Sequence, residues 1–362
     1  MTAAVRPPFP YPGNKHAIAP AIWQTLGDVP NYVEACAGTA AVHLARPHRG
    51  KVVTLNELDG FITNFYRAVQ KDADAVAHWA NWPVNEIDMH ARNRFLIERG
   101  PVLEETLRAD PAYSDPQIAG WWVWGQSIWI AAGWCDPVAH AGKKRPALGG
   151  NGYPKPGNGI FRPRLPHLIG PNNIAKVGQI PHLHGCDGSG VGYGRGIFAS
   201  GRREDLVAYM REIAAKLDPG RVRITCGDAF RVLTPAVTTS HGLTGVLLDP
   251  PYGAKAKRAK KLYAKESATL ADALRAWCLE NGANPLLRIV MCGYAGEHEE
   301  LEAHGWNVIA WKARGGYSNQ DGENANAERE RLWTSPHCLG GTRSSGPLFA
   351  HAAAASVREL RR

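Results

Sequence analysis

The stretch that decides the fold class of this chain reads Val246-Leu247-Leu248-Asp249-Pro250-Pro251-Tyr252-Gly253. Its apolar half is typical of a buried strand in a parallel sheet. Its polar half ends that strand, because proline donates no hydrogen bond to a neighbouring strand. Parallel sheets carry their sites at the carboxyl ends of the strands, so we predict a functional site here. The alternative is an Asp-Pro-Pro-Tyr turn that merely ends a strand.

The polar half of this stretch is rich in hydrogen-bond acceptors. Asp249 offers a carboxylate, and Pro250 and Pro251 have no N–H group, so the local carbonyl groups are left to accept. A planar base with an exocyclic amino group fits these features. Its amine would donate to Asp249 and to the carbonyl of Pro250, while Tyr252 stacks on the ring. Such a site holds an amine toward an electrophile and needs neither a covalent nucleophile nor a metal.

Length and composition indicate a globular protein. The chain has 362 residues, of which 44% are hydrophobic, enough for a real core in one large domain or two. The formal net charge of +9 suits a polyanionic partner, although many ordinary proteins are as basic. Seven cysteines without close paired spacing argue against a disulfide framework. We see no secretory segment and no long apolar run, so we expect a cytoplasmic protein without a membrane partner.

The N-terminal part predicts a loop of the kind that binds nucleosides or phosphates. Residues 31–44 read as a short strand, a tight turn at Gly38 and a helix. This is the order of a Rossmann-like unit, although Gly38 stands alone where two or three glycines are usual. Before it, residues 6–15 form a proline-rich loop that presents Lys15 on a turn.

Two more acids follow predicted strands. Glu57 comes after the strand at residues 51–55, where such folds bind ribose hydroxyls. Asp59 is a rival for that role, unless it simply caps the next helix. Asp228 comes after the strand at residues 221–226. Two further strands, the last of the chain among them, are predicted at residues 286–291 and 306–312.

The alternation of strands and helices is lost over residues 73–199. A charged helix is predicted at residues 84–108, followed by a tryptophan-rich run at residues 121–129 and a basic loop rich in Gly and Pro. We favour a core role for the tryptophans over base stacking. The His and Cys residues here lack the paired spacing of a zinc site, so we expect no metal.

A dense basic loop follows the opening stretch. It lies directly beside the predicted base pocket, where positive side chains would bind the DNA backbone. A solvated face with no partner would have the same composition. The residues concerned are Lys255, Lys257, Arg258, Lys260 and Lys261.

Together these motifs resemble the DNA adenine-N6 methyltransferases of the Dam-like alpha group, including phage-type and prophage-type members. In that group the cofactor motifs come first, a target-recognition insertion follows, and Asp-Pro-Pro-Tyr comes after it. The resemblance covers about residues 9–72 and 197–338. It implies an α/β, Rossmann-like S-adenosylmethionine-dependent methyltransferase fold with a mixed, mostly parallel sheet flanked by helices. The implied parts are a catalytic domain at residues 1–72 and 200–338, an inserted target-recognition and DNA-binding region at 73–199, and a flexible C-terminal tail at 339–362.

The resemblance also implies how the chain would bind the methionine part of S-adenosylmethionine. Tyr11 and Lys15 would contact the methionine carboxylate. Glu34 would face the methionine amino group, and Gly38 falls on the family's glycine turn. Glu57 falls on the ribose-binding acid of the family.

Further along the chain, the resemblance implies that Asp228 accepts from the adenine amino group of the cofactor. Two residues depart from the family pattern, because Cys36 replaces the usual Phe and Ala40 replaces the second Gly. These changes would either weaken cofactor binding or be absorbed by a shifted loop. The catalytic motif is matched in full by Asp249, Pro250, Pro251 and Tyr252.

The implied reaction is direct methyl transfer from S-adenosylmethionine to the N6 amino group of adenine in double-stranded DNA. The target base would be flipped out of the duplex. The alternatives are cytosine-N4 or RNA methylation on the same scaffold, or a catalytically inactive DNA-binding relative. We expect a monomer in the cytoplasm of a bacterial or phage-infected cell. A cognate restriction endonuclease would not be visible in this sequence.

Overall fold

One seven-stranded sheet organises the part of the chain that the structure describes. The structure is a computed structural model and describes residues 4–11, 13–129, 134–135, 196–198, 205–250, 270–311 and 329–340. Its strands are β1 Asn31–Glu34, β2 Val52–Glu57, β3 Val222–Cys226, β4 Thr244–Leu248, β5 Leu287–Tyr294, β6 Asn307–Ala310 and β7 Glu330–Thr334. Their order across the sheet is β3-β2-β1-β4-β5-β7-β6.

The strand directions make this sheet mixed but mostly parallel. β1 pairs in parallel with β2 and β4, β2 with β3, and β4 with β5. β7 lies between β5 and β6 and is antiparallel to both. The strand order therefore reverses between β1 and β4, which is where open α/β sheets form their ligand crevice. The predicted α/β Rossmann-like methyltransferase fold is confirmed.

The sequence of each strand matches its position in the sheet. Every residue of β1 and of β4 is buried, as expected for central parallel strands covered on both faces. By contrast, β6 alternates between half-buried and exposed residues, as an edge strand does.

Helices cover the sheet, and polar side chains determine where several of them begin. The helices are α1 Ala19–Leu26, α2 Ala41–Leu44, α3 Gly60–Lys71, α4 Ala73–Ala80, α5 Glu86–Ala109, α6 Pro116–Ile128, α7 Leu206–Lys216 and α8 Leu270–Asn281. At the first turns of α3 to α7, a side chain accepts a backbone N–H bond. The capping residues are, in order, Asp59, Asp72, Asn85, Asp115 and Asp205. Among the described residues no helix is long and apolar enough to cross a membrane.

Two of the three tryptophans of α6, Trp122 and Trp124, are core residues, as we favoured from the sequence, whereas Trp121 is half-buried. Trp122 is 3% exposed and Trp124 is fully buried. The ring centroids of Trp122 and Phe9 lie 4.8 Å apart. The rings of Trp122 and Phe61 are stacked, with an interplanar angle of 1°. Helices α4 to α6 thus continue the hydrophobic cluster of α3. The boundary at residue 73 and the division into domains stay predictions.

The prediction that residues 306–312 form the last strand of the chain was wrong. A further strand, β7, follows β6 along the chain and lies between β5 and β6 in the sheet. The strand begins with charged Glu330 and Arg331, which hid it from an apolar pattern. Glu330 is only 3% exposed, so a buried charge stands where the pattern predicts a surface.

Candidate active site

Four acidic residues stand at the carboxyl ends of four adjacent parallel strands. Asp228 follows β3, Glu57 ends β2, Glu34 ends β1, and Asp249 follows β4. Neighbouring strands lie about 4.8 Å apart, so the row of acids spans about 14 Å along one edge of the sheet. The structure therefore brings these four predicted site residues together in a single row.

The charges of all four carboxylates act on the Cys36 thiol. Burial is the largest cause that raises the pKa of Cys36 well above its usual value, and the charges of Glu57, Asp249, Asp228 and Glu34 raise it further. Cys36 follows Glu34, the end of β1, by two residues and belongs to the turn that also contains Gly38. The residue that replaces the family's Phe therefore lies inside the candidate site.

Glu34 is the most deeply buried acid of the row. Its side chain is 3% exposed and accepts a hydrogen bond of 3.2 Å from the Tyr32 hydroxyl. Burial raises the pKa of Glu34 to about 8, the charges of Asp249 and Glu57 add to this, and the Tyr32 hydrogen bond opposes it. A positive group bound beside Glu34 would favour its ionised form.

We predict that Glu34 makes the free energy of unfolding depend on pH. The folded pKa of about 8 lies above the usual 4.5, so the folded protein keeps a proton that the unfolded chain has lost. The contribution is fully present below pH 4.5 and is lost as the pH rises to about 8. Denaturant titrations should show the free energy of unfolding falling by up to about 1.4 kcal/mol per pH unit in this window, relative to Glu34→Gln. Equal pH slopes in both proteins would contradict the assignment.

Glu57 ties the end of β2 to the turn that follows β1. Its Oε2 accepts from the Gly38 backbone N–H at 2.7 Å, and its Oε1 accepts from the N–H groups of Leu58 and Asp59 at 2.8 and 3.2 Å. Burial raises the pKa of Glu57 despite these bonds, which lower it. Its rival Asp59 caps α3 by accepting from the Phe61 N–H at 2.8 Å.

The turn after β1 needs a residue without a side chain at Gly38. Its φ is +48°, and a Cβ added there would stand 3.3 Å from the Tyr11 ring. Ala40 adopts a similar left-handed conformation, with φ 47° and ψ 30°, and is fully buried. The departure from glycine at Ala40 therefore keeps the backbone conformation that glycine adopts easily.

We predict that Gly38→Ala strains this turn and presses on Tyr11. Left-handed backbone costs an L-residue about 1–2 kcal/mol, and the new Cβ would also crowd the Tyr11 ring. Gly305→Ala is a matched control, because Gly305 is also left-handed, with φ 80° and ψ 14°, and a Cβ added there would meet only the Pro336 ring at an ordinary contact distance of 3.6 Å. Thermal denaturation should show a larger loss for Gly38→Ala than for the control. Equal losses of thermal stability in the two variants would mean that the contact with the Tyr11 ring adds no strain to the turn.

Lys15 forms an ion pair with the acid of the opening stretch. Its Nζ lies 2.8 Å from Asp249 Oδ1 and donates to the Gly13 carbonyl at 2.6 Å. Lys15 is 3% exposed and Asp249 is 22% exposed. Burial alone lowers the pKa of Lys15, but the charges of Asp249 and Glu330 raise it above its usual value. Sequence analysis did not foresee that Lys15 contacts the catalytic motif.

Phe230 is a candidate site residue that the sequence did not single out. Asp228 is exposed, and its Oδ1 accepts from the Phe230 N–H at 2.8 Å. The Phe230 side chain is 37% exposed, which is unusual for a large apolar group. The signal for it was an aromatic residue two positions after an acid that ends a strand.

Part of the predicted site lies outside the described residues. Asp249 and the buried Pro250 are described, whereas the remaining catalytic and DNA-binding candidates are not. Those candidates are Pro251, Tyr252, Lys255, Lys257, Arg258, Lys260 and Lys261. Within the described ranges, no group of three or more His, Cys, Asp or Glu side chains could hold a metal ion.

The sheet and the row of acids beside a glycine turn define a protein of the Rossmann-like methyltransferase class. Residues 11–99 match the model of a family described as D12 class N6 adenine-specific DNA methyltransferase. The match covers less than half of the chain and ends within α5. It confirms the resemblance recognised in the motifs and indicates an enzyme, a DNA methyltransferase that acts on adenine. No curated protein matches the chain.

Proposed function

We propose that this enzyme transfers a methyl group from S-adenosylmethionine to the N6 amino group of an adenine flipped out of double-stranded DNA. The observation that carries the proposal is the row of four acids at adjacent strand ends. One end of this row would suit a nucleoside, and the other end carries Asp249, which could accept a hydrogen bond from a target amine. We further propose that the enzyme acts as a monomer and that residues 73–199 contribute to target recognition.

The described residues fit S-adenosylmethionine. At one end of the row, exposed Asp228 can accept from the adenine amino group beside the exposed ring of Phe230. Glu57 would bind ribose hydroxyls, and the Gly38 turn lies directly beside it, because the Gly38 N–H donates to Glu57. When bound, S-adenosylmethionine supplies an electrophilic methyl group on its sulfonium.

Glu34 and Tyr11 suit the methionine end of the cofactor. Glu34 is buried and would ionise in favour of a positive amino group brought beside it. The Tyr32 hydroxyl orients its carboxylate. Tyr11 belongs to the loop that carries Lys15, and its ring lies against Gly38.

Asp249 would hold the target amine. A carboxylate offers about four lone-pair sites, so Asp249 can accept from Lys15 and from an adenine N–H group together. Lys15 favours the charged form of Asp249 and restrains its orientation. Accepting this N–H bond directs the nitrogen lone pair toward the methyl group, which is catalysis by positioning and electrostatics.

The target adenine must leave the duplex to reach Asp249, because its amino group is buried in the base stack. Tyr252 would stack on the flipped ring and thereby offset part of the unstacking energy. The basic side chains that follow Gly253 would bind the phosphate backbone, so the affinity for DNA should fall steeply as the salt concentration rises. These residues are Lys255, Lys257, Arg258, Lys260 and Lys261.

The product of the reaction tests the proposal directly. The enzyme is incubated with S-adenosylmethionine labelled in its methyl group and unmethylated plasmid DNA, and the DNA is digested to nucleosides. We expect the label in N6-methyladenine. Label in N4-methylcytosine alone, or in RNA but not in DNA offered in parallel, would assign the chain to one of the alternative reactions. Calorimetry without any cofactor binding would instead support an inactive DNA-binding relative.

Base flipping needs a separate measurement. Mapping the methylated adenines in the plasmid gives the recognition site, and 2-aminopurine is then placed at the target position of a duplex. We expect its fluorescence to rise on binding, because the base leaves the stack. An unchanged signal on a bound duplex would contradict flipping while leaving the methyl transfer intact.

A further inference from the structure

A second cleft lies among α4, α5, α6 and the start of α7. Its volume is about 760 Å³, within the range of small-molecule sites. None of the four strand-end acids lines it. On α6, Trp121 faces this cleft while the neighbouring Trp122 packs toward Phe61 and Phe9. The cleft is therefore separate from the candidate active site.

A buried guanidinium forms one wall of the cleft. Arg92 is 6% exposed, and its Cζ lies 4.4 Å from the ring centroid of Trp124, 5.1 Å from that of Trp121 and 5.3 Å from that of Trp82. Its Nη1 is buried and has no hydrogen-bond partner, and no ion pair of Arg92 occurs among the described residues. Burial lowers the pKa of Arg92, although the charge of Asp88 raises it.

Such a guanidinium is unsatisfied in the protein alone. Stacking on indole rings stabilises its faces but supplies no acceptor in its plane, where Nη1 has none. Leaving a buried donor without a partner destabilises a folded protein, and more so when the donor is charged. The indole Nε1 of Trp121 is a second buried donor without a partner in this part of the structure. A ligand that brings oxygen or nitrogen acceptors would supply what these donors lack.

The other walls suit a flat ring. Trp82 is 47% exposed, and its Nε1 donates to Asp88 at 2.6 Å, which holds the indole in place. Trp79 and Phe95 both pack edge-to-face on Trp121, with ring centroids 6.0 and 5.1 Å away. A fixed and exposed indole beside a cleft is a stacking surface for an aromatic ligand.

Carboxylates at the rim disfavour an anionic ligand. Hydrogen bonds from Asn85 and Trp82 lower the pKa of Asp88, so it is ionised at neutral pH. Asp205 is exposed at the start of α7 and also lines the cleft. The third acid, Asp74, is already paired with Arg211 at 2.6 Å. These carboxylates disfavour a phosphate group inside the cleft itself and can accept hydrogen bonds from the N–H groups of a base.

We propose that this cleft binds a guanine base, either in a free nucleoside or unstacked in single-stranded DNA. Guanine carries two acceptors, O6 and N7, on the edge that arginine recognises with two hydrogen bonds. Its N1–H and amino groups on the neighbouring edge would donate to Asp88 and Asp205 at the rim, and its ring would stack on Trp82. Adenine presents an amino group where guanine has O6, so it would oppose Arg92 with a donor.

Calorimetric titration of the full chain with guanosine and with adenosine tests the proposal. We expect guanosine to bind, and Arg92→Met and Trp82→Ala each to weaken it by about tenfold or more, since a good base contact is worth about 1–3 kcal/mol. Arg94→Met is the matched control, because Arg94 lies on the same helix, is exposed and pairs with Glu98. This control should bind guanosine like the unchanged protein.

Two further arms distinguish the sources and keep the proposal falsifiable. An oligo-dT strand containing one guanine is compared with plain oligo-dT; preference for guanine that depends on Trp82 would assign the site to single-stranded DNA. Circular dichroism checks folding, and if Arg92→Met fails to fold, Trp82→Ala carries the test because its ring is exposed. The proposal is overturned if neither guanosine nor the guanine-containing strand binds, or if adenosine binds with the same dependence on Trp82. Loss of methyl transfer does not enter these outcomes, so the two proposals fail separately.

Discussion

Replacing Asp249 by Asn should lower the rate of methyl transfer by about 10³-fold while cofactor binding survives. The amide keeps the size of the carboxylate and can still accept from Lys15, so the local structure should persist. It lacks the negative charge that holds the target amine, and its NH₂ group would face that amine with another donor. Single-turnover kinetics gives the rate, and calorimetry with S-adenosylmethionine gives the affinity.

Asp228→Asn is the matched control for this prediction. The chemical change is identical, but Asp228 stands three strands away at the nucleoside end of the row. We expect it to weaken cofactor binding and to leave the rate at saturating cofactor largely unchanged. If Asp249→Asn instead loses the cofactor and keeps the rate, the assignment of the two ends is reversed.

Replacing Lys15 by Met should impair both methyl transfer and stability. The variant removes the cation that lies 2.8 Å from Asp249 and that also offsets the buried charge of Glu330. Breaking a buried ion pair costs roughly 3–5 kcal/mol, and we expect the lower end because Asp249 is 22% exposed. The rate should fall by about 10²-fold, because Asp249 loses the partner that orients it.

Lys51→Met separates this effect from the loss of any lysine. Lys51 is exposed and precedes β2, at the opposite edge of the sheet from the acids. The free energy of unfolding, from denaturant titration, and the single-turnover rate should both be the same in this control as in the unchanged protein. A Lys15→Met enzyme with normal turnover and weakened cofactor affinity alone would limit Lys15 to the contact with the methionine carboxylate.

Local patterns predicted the centre of the fold. Alternating apolar segments and turns placed β1 to β5, and each acid of the row was expected at the end of its strand. This works because strand and turn preferences act over a few residues, and because parallel strands bring their carboxyl ends to one edge. The pattern failed at β7, where Glu330 is buried beside the charge of Lys15 and no apolar run marks the strand.

Side-chain partners were much less predictable than strand ends. From the sequence, Asp59 competed with Glu57 for one role, and the structure uses Asp59 as the cap of α3. Arg92 read as one more charge on a polar helix, whereas packing buries it among three indole rings. Burial of a charged residue depends on which helices meet around it, and residue type alone does not encode this.

By itself, the sequence determined the class of fold, the positions of β1 to β6 along the chain and the four acids at the carboxyl ends of β1 to β4, of which Asp249 was the principal prediction. Only the tertiary structure decided that Lys15 pairs with Asp249, that the Tyr32 hydroxyl orients Glu34, and that the Gly38 N–H binds Glu57. The physical reason is the distance along the chain over which each kind of interaction acts. Backbone preferences and apolar periodicity are set by neighbours along the chain, whereas ion pairs and buried hydrogen bonds join residues that meet only when the sheet and its helices are assembled.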